Sequence, residues 1–276
     1  MSAVTTRSLT ATVVAVVCSE TGHGVLETLS SLSKESAVRP VVVSLGTATE
    51  ALRREEGGAI VIDGLVPRYL NNAVASLRLS SLPTLTWWRA RDPEPLVDLA
   101  DLVDAVVMDL DDPGAGWALV PGIAPMASVS DVRWARLTRW RDLIAQFFEM
   151  PEVRRSFTSF DRVEIEAADN HDARLLAGWL KARLPGGAGL AVDIQVGGAA
   201  RVRSVRLVGS AGSLAVQLLP NGSCLETLVE MPASGSSSSR VVALGNQDVA
   251  TLLGEELRVR SRDVAFEDAV REAEGL

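Results

Sequence analysis

Histidine, cysteine, lysine and tyrosine are nearly missing from this 276-residue chain. His23 and His171 are its two histidines, Cys18 and Cys224 its two cysteines, Lys34 and Lys181 its two lysines, and Tyr69 its one tyrosine. So thin a stock of ligating and proton-transferring side chains argues against most metal sites and against His-dependent hydrolases. No CxxC, HExxH, GxSxG or Walker-type lysine motif is present. Neither a metal nor a cofactor is expected. The two cysteines lie far apart in apolar runs, which excludes a disulfide framework and reads as two buried structural thiols. No run approaches the roughly 18 apolar residues that span a bilayer. The start of the chain reads as a strand, Thr12 to Cys18, rather than as a signal peptide. The expected location is cytoplasmic. The net charge of −8 gives no general attraction to nucleic acid or to an anionic membrane.

What the chain holds instead is apolar residues, 47% of the total, and arginine, which supplies 25 of its 27 Lys and Arg cations. Its first half alternates strand and helix patterns. Ala11 to Cys18, Pro40 to Leu45, Ala59 to Asp63, Pro83 to Trp88 and Ala105 to Leu110 read as buried strands, with helical spacing at 25–34, 67–79 and 95–102. This alternation predicts a mainly parallel, Rossmann-like sheet flanked by helices. After a Gly/Pro-rich loop from Asp111 to Ser128, one long helix is expected from about Ser130 to Met150, ended by Pro151. The second half reads as an α+β domain with an antiparallel sheet. Its strand patterns are Phe160–Ala167, Leu190–Val196, Val202–Val208, Ser213–Leu219, Leu225–Met231 and Val241–Leu244. A helix is expected at His171–Leu184, a two-residue hairpin at Asn221-Gly222, a flexible turn at Ser234–Ser239, and two terminal helices at about 246–260 and 263–274. The expected domains are 1–155 and 156–276.

Two features of the first half bear on function. Ser19-Glu20-Thr21-Gly22-His23-Gly24, between a strand and a helix, resembles the start of a dinucleotide fingerprint. Glu27 stands where its third glycine belongs, and no carboxylate ends the second strand, so a plain tight turn is the stronger reading. Asp109, Asp111 and Asp112 cluster after the fifth strand, at the edge where parallel sheets bind ligands; a solvated acidic turn is favoured over a cation site.

The tryptophans are more informative. Five of the six lie between Trp87 and Trp140. Trp87 and Trp88 are adjacent on a strand and must point to opposite faces. One is expected under a helix, the other facing a groove, a second domain or a partner. On the long helix, Trp134, Leu137, Trp140, Ile144, Phe147 and Phe148 form one stripe, with Arg133 and Arg141 inside it and Arg136 at its margin. Arginines on an apolar face need acceptors. Two readings stay open: an internal network with Asp109 or Asp111 beneath the indoles, or a recognition surface for a protein or an anionic ligand.

Leu82-Pro83-Thr84-Leu85-Thr86-Trp87-Trp88, followed by Asp131-x-x-Trp134-x-Arg136-Leu137-x-x-Trp140-Arg141, resembles the OpcA family, the glucose-6-phosphate dehydrogenase assembly proteins. Leu175-Leu176-Ala177-Gly178-Trp179-Leu180 is similar to that family as well. The resemblance implies a protein that is not an enzyme. It would bind glucose-6-phosphate dehydrogenase, aid assembly of the active oligomer and act as an allosteric activator in the oxidative pentose phosphate pathway. It also implies that Trp87, Trp88, Trp134, Arg136, Trp140 and Arg141 are a partner-binding or structural motif. The residues alone leave the alternative of a nucleotide- or sugar-phosphate-binding α/β protein, enzymatic or not.

Overall fold

The computed structural model describes residues 9–47, 51–157, 160–232, 235–259 and 261–276. β-Branched residues dominate the opening strands, β1 (Ala11–Cys18) and β2 (Val38–Leu45), and suit them to burial on both faces. Between them α1 (Val25–Glu35) sets Val25, Leu29 and Leu32 on its buried side. β3 (Leu52–Glu56) and β4 (Ala59–Leu65) form a hairpin whose turn residues, Gly57 and Gly58, have φ of 59° and 82°. Only glycine takes both positions readily. A 3-10 turn at Pro67–Tyr69 leads into α2 (Leu70–Leu77), then β5 (Thr84–Trp88), α3 (Pro95–Ala100) and β6 (Ala105–Met108). Two one-turn helices follow, α4 (Gly114–Trp117) and α5 (Val120–Ile123), and then β7 (Ser128–Asp131) and α6 (Val132–Arg136).

The next stretch holds α7 (Thr138–Phe147), α8 (Pro151–Ser156), β8 (Arg162–Ala167), α9 (Asn170–Arg183) and β9 (Ala191–Val196). β10 (Ser204–Gly209), β11 (Gly212–Leu218), β12 (Cys224–Met231) and β13 (Ser236–Ala243) form a meander. The chain ends in α10 (Val249–Glu256) and α11 (Val264–Ala273).

The chain forms two compact units, each made of two stretches: Met1–Ala135 with Gln247–Asp263, and Arg136–Asn246 with Val264–Leu276. The first holds a seven-stranded sheet in the order β3-β4-β2-β1-β5-β6-β7, parallel throughout except for the β3–β4 hairpin. From β1 the chain steps outward to β2 on one side, and from β4 it steps back across to β5 on the other. Right-handed crossovers in opposite directions put α1 on one face and α2 and α3 on the opposite one. Trp87 shares the α1 face with Ala15 and Val107, in one core with Leu29, Leu32, Leu252 and Leu253 of α1 and α10.

The second unit holds a six-stranded sheet, β13-β12-β11-β10-β8-β9. Its pairs are antiparallel except β8–β9, which α9 joins as a parallel crossover. Val163, Ile165, Val205, Leu207, Leu214 and Val229 are buried on one face of this sheet.

The expected fold class holds: a parallel, helix-flanked sheet, and a second, mainly antiparallel one. Several element readings change. The single long helix is a short strand and two helices, α6 and α7, and Pro151 opens α8 at its first turn, where proline lacks nothing. β3 was not foreseen, because Leu-Arg-Arg-Glu-Glu has no buried side; all five residues are exposed. Asn221-Gly222 lies inside a longer loop closed by the Leu219 N–H on the Cys224 carbonyl. The serines read as a flexible turn form part of β13, paired with β12; Ser234 lies outside the described residues. The expected domains cut the chain once, after residue 155, whereas each compact unit takes in two stretches. Among the described residues no helix is long and apolar enough to cross a membrane.

Glycine at 178 is what allows α9 and α11 to cross closely. A Cβ there would overlap the Ala269 carbonyl oxygen and stand 2.9 Å from the Ala273 nitrogen. Alanine gains about 1 kcal/mol of helix propensity over glycine, but backbone atoms cannot rotate away. Gly178→Ala is therefore expected to lose roughly 2 kcal/mol net, read as a lower urea midpoint with an unchanged m-value. An unchanged or raised midpoint would contradict this packing.

Candidate functional site

In the first unit the tryptophan pair of the motif lies at the carboxyl edge of the parallel sheet. β5 ends in Trp87 and Trp88, β6 runs on into Asp109, and β7 ends in Asp131. Opposite partners share a face, so Trp88, Met108 and Asp131 lie on the face opposite Trp87 and Val107. Both adjacent indoles are buried, with exposures of 1% and 0%, and Trp117 and Trp134 are each at 1%. Neither member of the pair faces an open groove, because helices cover both sides of β5.

A buried indole N–H must find an acceptor. Trp87 donates to Asp109 Oδ2 at 3.2 Å, Trp88 to the Ala90 carbonyl at 2.9 Å, Trp117 to Asp131 Oδ2 at 3.0 Å, and Trp134 to Asp263 Oδ2 at 2.7 Å. Three of the four acceptors are carboxylates. Asp131 also accepts the Arg133 N–H at 2.7 Å, so it caps α6 from the end of β7. Burial pushes the Asp131 carboxyl up to about 6, against the pull of the Arg133 amide, the Trp117 indole and the Arg133 charge.

Arg89 organises the central crevice. Its guanidinium lies 5.2 Å from the Trp87 ring centroid, its Nε stands 3.3 Å from Asp109, and its Nη1 donates to the His23 carbonyl at 3.1 Å. The backbone N–H groups of Arg89 and Ala90 donate to Val16. Arg91 pairs with Glu20 at 2.6 Å. Strand order reverses direction between β1 and β5, the position where doubly wound sheets take ligands. Here Arg89 holds the glycine loop, Gly22 to Gly24, by the His23 carbonyl, and Arg91 makes an exposed ion pair with Glu20 just before it. Cys18 closes β1 beside them. Burial raises its thiol pKa, but the Thr21 hydroxyl and the amides of Arg91, Glu20 and Thr21 outweigh burial and leave it below the ordinary value.

Of the six expected residues, Trp87, Trp88 and Trp134 lie within the first unit. Arg136, Trp140 and Arg141 belong to the second. Trp140 is 4% exposed, Arg136 and Arg141 are half-buried, and Arg141 donates to the Thr138 hydroxyl at 3.0 Å. Asp109 accepts from Trp87 and pairs with Arg89, so it is more than part of a solvated acidic turn. Asp111 offers its carbonyl to Arg133 at 3.4 Å, and Asp112 caps the Gly114 amide at 3.2 Å. The cysteines, read as buried, are both half-buried. Arg89, Trp117 and Asp263 were missed as members of the site. Arg89 directly follows the tryptophan pair, a usable signal, whereas the Trp134–Asp263 pairing spans most of the second unit in sequence and leaves no local trace.

A family model described as the C-terminal domain of the glucose-6-phosphate dehydrogenase subunit matches residues 127–270. A "Putative OxPP cycle protein OpcA" from Synechococcus elongatus is 30% identical over 120 residues, covering 40% of this chain and 27% of that protein. One of the same name from Nostoc punctiforme is 29% identical over 128 residues, covering 42% and 27%. The match thus takes in about a quarter of each relative's length. Among solved structures, an oxidoreductase from Sinorhizobium meliloti aligns with a TM-score of 0.58 at 10% identity, over 96% of this chain and 95% of that one. The 3-ketoreductase KijD10 from Actinomadura kijaniata aligns with a TM-score of 0.56 at 11% identity, over 95% of each. At such identities these two share the fold alone.

Asp131 gives the site a pH signature. Its folded pKa lies above the ordinary 3.8, so between about pH 4 and pH 6 the folded state binds the extra proton. The Asp131 contribution to stability is therefore full below the ordinary value and is lost as pH rises through about 6. Asp131→Asn keeps an acceptor but cannot ionise. Its stability relative to the parent is expected to rise between pH 4 and pH 7.5, by on the order of 3 kcal/mol, in paired denaturant titrations. A difference that stays flat with pH would contradict the burial of this carboxylate.

Proposed function

The chain belongs to the OpcA family, and from that premise we propose that it is a non-catalytic partner of glucose-6-phosphate dehydrogenase. In this reading it is an assembly factor and positive effector in the oxidative pentose phosphate pathway, acting in the cytoplasm. It binds the dehydrogenase's active oligomer more tightly than its inactive forms and draws the population toward it. The observation that carries the reading is the family match over residues 127–270. The crevice agrees with it: Arg89 and Arg91 are engaged with Asp109, the His23 carbonyl and Glu20 at the position a nucleotide's phosphates take in doubly wound folds.

In this reading the motif residues take different parts. Trp87, Trp88, Trp134 and Trp140 serve the fold, since a side chain exposed by a few percent offers a partner almost no area. Arg136 and Arg141, half-buried on α6 and α7, retain surface through which a partner is met.

Titrating this protein into the dehydrogenase from the same source, at sub-saturating glucose 6-phosphate, tests the reading. The expected result is co-elution of the two proteins and a several-fold rise in the dehydrogenase's kcat/KM. Absence of both ends the proposal. A clear thermal shift of this chain alone with NADP or a sugar phosphate favours the rival reading, a nucleotide- or sugar-phosphate-binding protein.

A further inference from the structure

The two sheets end in four edge strands, and they are protected unequally. An open edge presents unpaired N–H and C=O groups to any extended chain, so proteins blunt edges with charge, proline or cover. β3 is blunted by Arg53, Arg54, Glu55 and Glu56. β7 is largely buried, with the Ser128 hydroxyl on the Ser261 carbonyl. β9 carries the exposed charge of Asp193. β13 carries one exposed charge, Arg240, but from Ser237 to Ser239 its side chains are small, neutral and exposed, and Val241 is 54% exposed.

The register fixes which of its backbone groups are open. Cys224 lies opposite Ala243, and the Leu244 N–H donates to the Ser223 carbonyl, so that pair does not exchange hydrogen bonds directly. Counting back by alternation, Ser238 and Arg240 bond inward to β12, while Ser237, Ser239 and Val241 aim their N–H and C=O groups away from the sheet. The open stretch ends at Ala243, whose carbonyl accepts Arg139 Nε at 3.2 Å. Beside it, on the inner face, a groove of about 470 Å³ is lined by Phe147, Met150, Val229, Glu149, Ser238 and Arg240, among others.

We infer that the β13 edge pairs with the β13 edge of a second copy of this chain, antiparallel about a two-fold axis at Ser239. Ser239 then faces its own copy, Ser237 faces Val241, and Ser238 faces Arg240. Roughly six inter-chain backbone hydrogen bonds form. The serines let the strands meet without a bulky side chain between them, and the Ser239 hydroxyl leans back to donate to Glu226 Oε1 of β12 at 2.6 Å. Each Arg240 is carried over its partner's Ser238, at the rim of the groove that Glu149 lines, so charge favours the pairing from both sides. Closing on itself about a two-fold satisfies both edges at once and leaves none to propagate.

Three variants of the full-length chain test this, independently of any dehydrogenase. Sedimentation velocity across a concentration series should show the parent dimerising. Ser239→Pro removes an outward N–H, and the hydroxyl that donates to Glu226, while leaving the β12 ladder intact. Val241→Lys places an edge charge. Each should weaken dimerisation about tenfold or more in a chain that still unfolds cooperatively, and Val241→Lys should leave the urea midpoint nearly unchanged. Ser239→Cys should form an inter-chain disulfide under mild oxidation, since paired residues across such a ladder have Cα atoms about 5.5 Å apart. The parent, with Cys18 and Cys224 only, should not. A monomeric parent at every concentration, or a dimer that survives both edge variants in folded protein, overturns the inference. If β13 becomes protected from hydrogen exchange only when another protein is added, the edge serves that protein and the inference fails in favour of it.

Discussion

An indole shut away from water leaves one N–H that the apolar core cannot satisfy, and leaving it unmade costs about 1–3 kcal/mol. This constraint organises the first unit. Four buried tryptophans answer it with three carboxylates and one carbonyl. Each carboxylate must sit where a ring edge reaches it, at the end of a strand or beside a short helix. The loops after β5, β6 and β7 are thereby fixed in place by side chains. The same arrangement has an electrostatic consequence. A carboxylate held under an indole is desolvated, and where desolvation outweighs its donors, as at Asp131, the neutral acid is favoured at mild pH.

Arg89 extends that logic across the sheet. It lies over the Trp87 ring, pairs with the Asp109 that Trp87 already holds, and reaches the carbonyl of His23 in the loop after β1. A doubly wound sheet leaves a crevice where its strand order reverses, and backbone N–H groups of a glycine loop commonly line it. In this chain Arg89 holds the loop by the His23 carbonyl, Arg91 makes an exposed ion pair with Glu20 just before it, and Cys18 is drawn into hydrogen bonds with both sides. The shared architecture with oxidoreductases is a matter of layers and connections. The side chains at the edge decide what that edge does.

Periodicity exposed the buried strands because short valine runs between turn signals suit a strand covered on both faces, and it exposed α9 because its leucines recur on one side. It missed β3 and β7 for physical reasons. β3 has no buried side to give it a period, although Gly57-Gly58 marked its hairpin, and β7 pairs with β6, which lies well before it in sequence. The break between α6 and α7 has no proline or glycine to announce it. It coincides with the passage of the chain from one compact unit to the other, a tertiary event. Within the site, the adjacency of Trp87 and Trp88 dictated opposite faces. That both faces are covered followed from the crossover directions, which depend on the order of all seven strands. The stripe of Trp134 and Trp140 was legible as apolar spacing, but its division between two units was not.

The family match runs from residue 127 to residue 270, and it follows neither compact unit. It takes in β7, α6 and α10 of the first unit along with most of the second. One contact within that stretch joins positions far apart in sequence. The chain leaves the first unit after Ala135, returns at Gln247 and leaves again after Asp263. Trp134 and Asp263, the residues beside those two departures, are joined by a 2.7 Å hydrogen bond. A single indole–carboxylate pair thus joins the two stretches of the first unit, although 129 positions separate its members in sequence. Trp134, one member of the stripe, is thereby held within the first unit. Its neighbour in the motif, Arg136, is the first residue beyond it.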